Sequence, residues 1–418
     1  MRKISKLSLV AAVAVAGFST ANAQPLEEAI KNVDVSGSVV YRYDNFDDSE
    51  GNATRTDLNR YKIGLNLSSK VNDYVKFNSR FIVGDKNTYG WADTNAKRDG
   101  GTDGSADVSL SQAYFGFTAI PNTVVNVGKQ GLTTPYTVAV DINGNEQNGT
   151  GILALSTFGP ITAGAGYFNN QNIDTNISNA NFNPGWLGSV VRYSASSLGL
   201  TGGEDLYVAT VQGDLDFVKL ESWYLGMQDT FNSYTVAATS NIDLAENAKI
   251  GLEARYVNLK LDSDTGLTGD DRKNDMFRLA VDGKFSIVNA RLAYTQTGKD
   301  GGLTAVDQDA KNTSLGWAIT SNGIADAKYF QAALGADILD NLNFTVHYGN
   351  LKADESNRVL NQTFGGVELK QQEVYGQLTY KMSKNLSTYL RYGTYEQKLD
   401  GEKNVDQTRG RLQVAYTF

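Results

Sequence analysis

The sequence predicts an all-β chain: a transmembrane, antiparallel, up-and-down β-barrel of about 18 strands, with 16 also allowed by the pattern. Three observations predict it. The chain ends in a strand whose apolar residues alternate strictly with polar or small ones. It begins with an export signal. Between these ends, strands are joined by connections that are short and long in turn.

At the N-terminus, Met1 to Lys6 is a basic head, and Leu7 to Phe18 is an apolar stretch too short to span a bilayer. Ala21-Asn22-Ala23 is a small-x-small cleavage site. Residues 1–23 therefore read as a secretory signal peptide, with a mature chain that starts at Gln24 and a barrel over 24–418. Beyond Phe18 no apolar run approaches the ~18–20 residues of a membrane helix. The chain has 42 Gly, 22 Tyr, 17 Phe, 5 Pro and no Cys. A barrel crosses lipid with this composition because half of its strand residues face water. Without disulfides, an exported chain of this length needs a large cooperative structure, which a sheet without edges supplies. The net charge of −8 makes a nucleic-acid partner implausible and favours cations.

Residues 33–43 alternate, with Val35, Val39, Tyr41 and Tyr43 on one face and Asp34, Ser36, Ser38 and Arg42 on the other. Tyr61, Ile63, Leu65 and Leu67 alternate with Lys62, Gly64, Asn66 and Ser68. Val75, Phe77, Phe81 and Val83 alternate with Lys76, Asn78 and Arg80. Short turns are expected at 71–73, 121–122, 159–160, 213–214, 340–341 and 383–385, and long loops at 44–59, 85–106, 131–150, 170–205, 260–273, 299–328 and 352–370. Tight periplasmic turns and large outer loops are the outer-membrane pattern. The segment 186–195 competes with 206–213 for one descending strand. In the last strand Leu412, Val414, Tyr416 and Phe418 alternate with Arg411, Gln413, Ala415 and Thr417. A soluble sandwich can end the same way, and the export signal decides for the barrel. This C-terminal strand is the expected contact for the barrel-assembly machinery. Tyr residues near strand ends, such as Tyr41, Tyr114 and Tyr416, fit girdles at the headgroup layer.

Several stretches carry a specific resemblance. Residues 25–31 (PLEEAIK), 33–37 (VDVSG) and 41–43 (YRY) resemble the mature start of the Campylobacter-type major outer membrane porins. Gln112-Ala113-Tyr114, residues 127–130 (VGKQ), Gly149-Thr150-Gly151 and the ending 411–418 (RLQVAYTF) are also similar to that family. The likeness runs end to end but is poor in the long loops. It implies an 18-stranded barrel, a homotrimer, and passage of ions and small polar solutes with a preference for cations. It also implies that the 131–151 loop folds into the lumen. That loop holds Asp141 and Glu146 and no Lys or Arg. As an ordinary surface loop it would leave both acids solvated.

Strand parity puts Arg42, Lys62, Lys76, Arg80, Arg391, Arg409 and Arg411 on the wet face of strands that closure makes neighbours. The expectation is a basic wall facing Asp141 and Glu146 across the lumen, with a transverse field between them. Local pairing with Asp34, Glu253 or Asp282 is the alternative. Asp262, Asp264, Asp270 and Asp271 resemble a calcium loop without the spacing or distal Glu of an EF-hand, so a Ca2+ site there competes with a solvated loop. Acids near Asp44, Asp47, Asp48 and Glu50 could hold divalent ions against lipopolysaccharide in the outer-membrane lipid. His347 is the only histidine and faces the lumen by parity. No organic cofactor is expected, and no acid-base-nucleophile set, phosphate loop or Gly-x-Ser-x-Gly element points to an enzyme. The leading expectation is a general diffusion porin. A substrate-selective channel, or a barrel that adheres through its outer loops, remain the alternatives.

Overall fold

A computed structural model describes residues 33–50, 55–86, 88–93, 106–173, 200–265, 269–354 and 367–418 of the 418-residue chain, the side chain of Asp271 apart. The expected cleavage site at Ala21, Ala23 and Gln24 and the segment 186–195 lie outside these residues.

The strands are β1 (Val33–Asp48), β2 (Arg55–Asn72), β3 (Val75–Gly84), β4 (Ala92–Asp93), β5 (Asp107–Phe117), β6 (Thr123–Gly131), β7 (Asn148–Phe158), β8 (Ile161–Gln171), β9 (Leu206–Asp214) and β10 (Lys219–Met227). They continue as β11 (Phe231–Ala245), β12 (Ala248–Leu261), β13 (Lys273–Phe285), β14 (Val288–Thr297), β15 (Ala327–Leu339), β16 (Leu342–Ala353), β17 (Leu369–Lys381), β18 (Leu386–Leu399) and β19 (Glu402–Thr417). The two-residue β4 pairs with Arg60 and Tyr61 inside β2. The other eighteen pair antiparallel with their neighbours, and β19 returns to β1, so the sheet is a closed 18-stranded barrel. Of the two rivals for the descending strand, 206–213 takes the place, inside β9, between β8 and β10.

The two-residue pattern sets which way the wall faces. On β1, Val35, Val39 and Tyr41 are exposed on the outer surface while Val40, Arg42 and Asp44 are buried inside. On β19 and the residue that follows it, Leu412, Tyr416 and Phe418 are exposed and Arg409, Gln413 and Ala415 are buried. A one-residue slip would exchange these sets, and the cost of guanidinium groups in lipid fixes the register.

One end of the barrel carries only short turns of two to five residues. The other end carries the long connections, with two exceptions, 228–230 and 400–401. The latter is an Asp-Gly hairpin with φ of 49° at Asp400 and 84° at Gly401, the left-handed pair that matches strand twist.

Part of the interior is not wet. Leu225, Val257, Leu259, Met276, Tyr329 and Leu351 line the loop end of the wall and pack against Leu303, Val306, Ala318, Ile319 and Ile324 of the 298–326 connection. The sequence pattern predicts a polar lumen. Apolar residues replace it where a loop, and not water, covers the wall.

The chain end is tied to the seam. Gly37 N donates to Phe418 O at 2.9 Å, Phe418 N donates to Gly37 O at 3.1 Å, and the Phe418 ring stacks on Tyr416. Deleting Phe418 should destabilise the barrel by about 2 kcal/mol or more, from two hydrogen bonds at ~1 kcal/mol each plus the ring contact. The check is the guanidinium midpoint in detergent, and an unchanged midpoint would show that this tie contributes nothing.

Candidate pore constriction

The connection 132–147 between β6 and β7 turns into the barrel. Its base is closed by Leu132 N to Gln147 O at 2.9 Å and by Gln147 N to Val138 O at 2.9 Å. Gly144 leaves room for a neighbouring carboxylate: a Cβ there would lie 2.6 Å from Asp141 Oδ2.

Cationic side chains of β1, β2 and β3 hold this loop. Glu146 is 1% exposed and accepts from Arg80 Nε at 2.9 Å and Arg80 Nη2 at 2.6 Å. Lys62 Nζ lies 3.4 Å from Glu146 Oε1 and donates to the Asp141 and Gly144 carbonyls. Arg42 donates to Asn143 Oδ1 at 2.8 Å and to Gln413 Oε1 at 2.7 Å, with its guanidinium 4.3 Å from the Trp91 ring centre. Trp91 Nε1 donates to Asn143 O at 2.8 Å. The two sides expected to face each other across water are therefore in contact at Glu146. Burial drives this, because a carboxylate removed from water needs a charged partner at hydrogen-bond distance.

The connection 298–326, expected as an ordinary outer loop, also lies inside the barrel. Arg278 donates to the carbonyls of Thr313 and Lys311, and Arg255 Nη1 donates to Asn312 Oδ1 at 3.1 Å. The Glu373 carboxylate receives Trp317 N at 3.0 Å and Ala318 N at 2.6 Å. Trp317 sits among three guanidinium groups, with Arg409 at 4.7 Å, Arg391 at 5.2 Å and Arg411 at 5.7 Å from its ring centre. These contacts extend into one row, Phe46–Arg409–Trp317–Arg391–Tyr375–His347, closed by a stacked His347–Tyr375 pair 4.5 Å apart.

The two inward loops touch each other. Val306 N donates to Tyr136 O at 3.1 Å, Asn312 N donates to Pro135 O at 2.9 Å, and Gln147 Nε2 donates to Asp307. Asp141, Asp307 and Asp309 meet at this junction with carboxylate oxygens within 4.8 Å of one another, the one such acidic group among the described residues. Asp141 Oδ1 accepts Asn143 N at 2.6 Å, while its Oδ2 is buried without a hydrogen-bond partner. Burial, and next the neighbouring Asp309, push the Asp141 carboxyl up to about 7. Burial and then Asp141 push Asp307 up to about 7, and burial and Asp307 raise Asp309.

The remaining expected residues fall as follows. Arg411 pairs with the buried Asp44, which also binds Arg60. Arg391 bonds Gln377 Oε1 at 2.9 and 2.6 Å. Lys76 is exposed near the turn end, opposite Lys70. Asp262 accepts Asp264 N and Ser263 Oγ, and Asp270 pairs with Lys273 at 2.6 Å, so these acids are spent on local turns. A second basic group on another part of the wall, Arg255, Arg278 and Arg291 with Glu221, Glu253 and Asp282, was missed. Strand parity alone could have placed it inside.

A closed 18-stranded barrel with an apolar outer face and loops folded into its lumen defines an outer-membrane, porin-like barrel. A sequence model of the Campylobacter major outer membrane protein matches residues 1–418, and the chain belongs to that family. No curated protein matches it. Among solved structures, Pseudomonas aeruginosa OpdL has a TM-score of 0.69 at 14% identity, over 93% of this chain and 99% of that one. Acinetobacter baumannii OccAB3 has a TM-score of 0.68 at 14% identity, over 92% and 99%. Pseudomonas aeruginosa OprD has a TM-score of 0.65 at 17% identity, over 92% and 95%. At these identities they show the shared fold. The protein resides in the outer membrane, with its short turns on the periplasmic side.

Glu146→Gln leaves Arg80 and Lys62 buried without their counter-charge. Breaking one side of such a pair costs about 3–5 kcal/mol. The expected outcome is release of the 132–147 loop from the wall, read as new protease cleavage within that loop on folded protein. Full protection would show that the ion pairs do not hold the loop.

Proposed function

We propose that the chain is a general diffusion porin, passing ions and small hydrophilic solutes passively and preferring cations. The carrying observation is the pair of inward loops that narrow a closed barrel while polar space stays open beside them. That space includes regions of about 420, 500 and 1000 Å3. Solutes move down their gradients, with size limited by the two loops and with no energy input and no catalytic step.

Cation preference rests on the junction acids. Glu146 is neutralised at contact by Arg80 and Lys62, whereas Asp141, Asp307 and Asp309 form no ion pair among the described residues, and of these Asp309 is the one exposed to a passing cation. Three crowded carboxylates, one with a buried unpartnered oxygen, supply hard oxygen ligands of the kind Ca2+ takes. A calcium ion at this junction, and not at 262–271, is part of the proposal.

The homotrimer belongs to the same reading. Ala154, Ala165 and Ala209 form one outward row in register across β7, β8 and β9, bordered by Tyr224, and offer a recessed face to a second copy. Lipopolysaccharide at the outer rim and the barrel-assembly machinery at β19 are its other partners. A substrate-selective channel is the second reading, favoured by the aromatic–guanidinium row along the wall.

Single-channel recording in a KCl gradient tests this. Ohmic steps that reverse on the cation side and close in thirds are expected, and Asp141→Asn/Asp309→Asn should shift the reversal potential toward zero. Folded protein without steps would sink the porin. Steps with unchanged selectivity in the double variant would remove the junction acids from the filter. Separately, millimolar calcium should raise the melting temperature of wild type in detergent and leave the double variant unmoved. An equal response from both would place any calcium elsewhere.

A further inference from the structure

We infer that the outer face of β15, β16 and β17 holds a phosphorylated glycolipid of the outer leaflet by direct lysine–phosphate contact, with an acyl chain in the apolar recess beside it. The inference rests on the lipopolysaccharide contact of the porin reading. It deepens that contact by naming the site and by removing a bridging metal ion from it.

The lysines form one registered row. Lys328 of β15 stands directly opposite Lys352 of β16, and Lys352 directly opposite Lys370 of β17. All three share the outward parity of the exposed Phe330, Val346 and Val374 on the same strands. Neighbouring strands lie ~4.8 Å apart, so the three residues fall within about 10 Å along the loop end of the wall. Like charges directly opposite on one sheet face destabilise it. A phosphate seated among them removes that repulsion and accepts charge-assisted hydrogen bonds.

The acids around the row hold it loosely. Lys352 is exposed and forms no ion pair among the described residues. Lys328 pairs with Asp354 at 3.0 Å, with the side chains 44% and 60% exposed, and buried Asp326 is its next acidic neighbour. Lys370 pairs with Glu368 at 41% and 34% exposure. Ion pairs this open contribute little, so both ammonium groups can be shared with a phosphate. Asp354 and Glu368 stand on the loop side of the lysines, which leaves the membrane side of the row to the ammonium groups. The face proposed for the trimer, on β7 to β9, is a different part of the wall, so β15 to β17 meet lipid.

Toward the membrane, the wall changes in the order in which a glycolipid does. Asn350 stands opposite Gln372 one step below the lysines, and Gln372 Nε2 donates to Tyr348 Oη at 3.4 Å. These amides and this hydroxyl match sugar hydroxyls. Below them Leu334, Val346, Val374 and Leu378 are exposed and apolar. Phe330, two residues below Lys328, borders with Tyr294 an apolar recess of about 520 Å3, where Ala254 opposite Ala238 leaves the surface low. A surface for any anionic lipid needs the lysines alone. The amide row and the recess select the glycolipid.

Acids near β1, expected to hold divalent ions against lipopolysaccharide, are engaged elsewhere. Asp44 is buried between Arg60 and Arg411. Asp48 Oδ1 accepts Glu50 N and Asp406 N, both at 3.1 Å.

The probe is diphosphoryl lipid A, titrated with EDTA present into the full chain in detergent and read as bound fraction by native mass spectrometry. One lipid A per chain is expected. Lys352→Gln/Lys370→Gln should weaken it about a hundredfold, tenfold for each charge-assisted bond. Ala254→Phe fills the recess and should weaken it at least about tenfold. Phosphatidylglycerol, anionic without the disaccharide, should bind at least about tenfold more weakly than lipid A, and inorganic pyrophosphate more weakly again. Equal affinity for phosphatidylglycerol would make the row a general anionic-lipid surface and overturn the glycolipid site. Equal affinity for pyrophosphate would make it a free-phosphate site, and binding only when magnesium replaces EDTA would restore the bridging ion; either overturns it. Lipid A held at wild-type strength by both variants keeps the rim contact and overturns this site for it. The recess variant keeps the test decisive should the lysine variant misfold. Lipid A binding without channel steps counts against the porin alone, and steps without lipid A binding against the site alone.

Discussion

Eleven residue pairs join β1 to β19, from Ser38–Thr417 to Asp48–Gln407, and remove the last two strand edges. In hydrocarbon an unpaired backbone group costs several kcal/mol, so an open 18-stranded sheet could not occupy a membrane. The same seam assembles the site. It places Asp44 of β1 against Arg411 of β19 and brings Gln413 to the Arg42 side chain that holds Asn143. The basic wall exists because the two chain ends are neighbours.

Two loops enter the lumen, and different forces hold them. The 132–147 loop sends Leu132 and Tyr136 into the buried apolar cluster, and its tip is fixed to the wall by Arg80, Lys62 and Arg42. Ion pairs of this kind are stable when complete and costly when half removed. The 298–326 loop is held by apolar burial against β10, β12, β13, β15 and β16, with backbone groups capped by Arg278 and Glu373. Its Trp317 lets three like-charged guanidinium groups, Arg391, Arg409 and Arg411, gather around one ring. The loops then brace each other through the hydrogen bonds from 306 and 312 to 135–136.

This bracing sorts the charges. The acid that touches the wall is neutralised by it, and the acids at the loop–loop junction are not. Asp141, Asp307 and Asp309 come from two segments that share no strand pairing, and their mutual repulsion is sustained by the surrounding packing. The basic groups of β12, β13 and β14 are spent on Glu253, Glu221 and Asp282. Charge along the lumen is therefore arranged in local groups and not in two opposed walls.

The sequence by itself determined the barrel, its direction of facing and most of its connections. Alternation has a period of two, a charged group cannot face lipid, and the terminal aromatic at Phe418 marks the closing strand. These rules act on single strands and need no partner, which is why Arg42, Lys62, Arg80 and Arg411 could be placed inside from parity alone. Tertiary structure decided what the loops do. Residues 298–326 have no periodicity that distinguishes an inward loop from an outer one, because the apolar wall that receives it is assembled from five strands, β10, β12, β13, β15 and β16, only when the sheet curls around it. For the same reason the pairing of Glu146 with Arg80, and of Asp141 with Asp307 and Asp309, was not legible: each depends on where a loop comes to rest, which packing fixes and spacing does not.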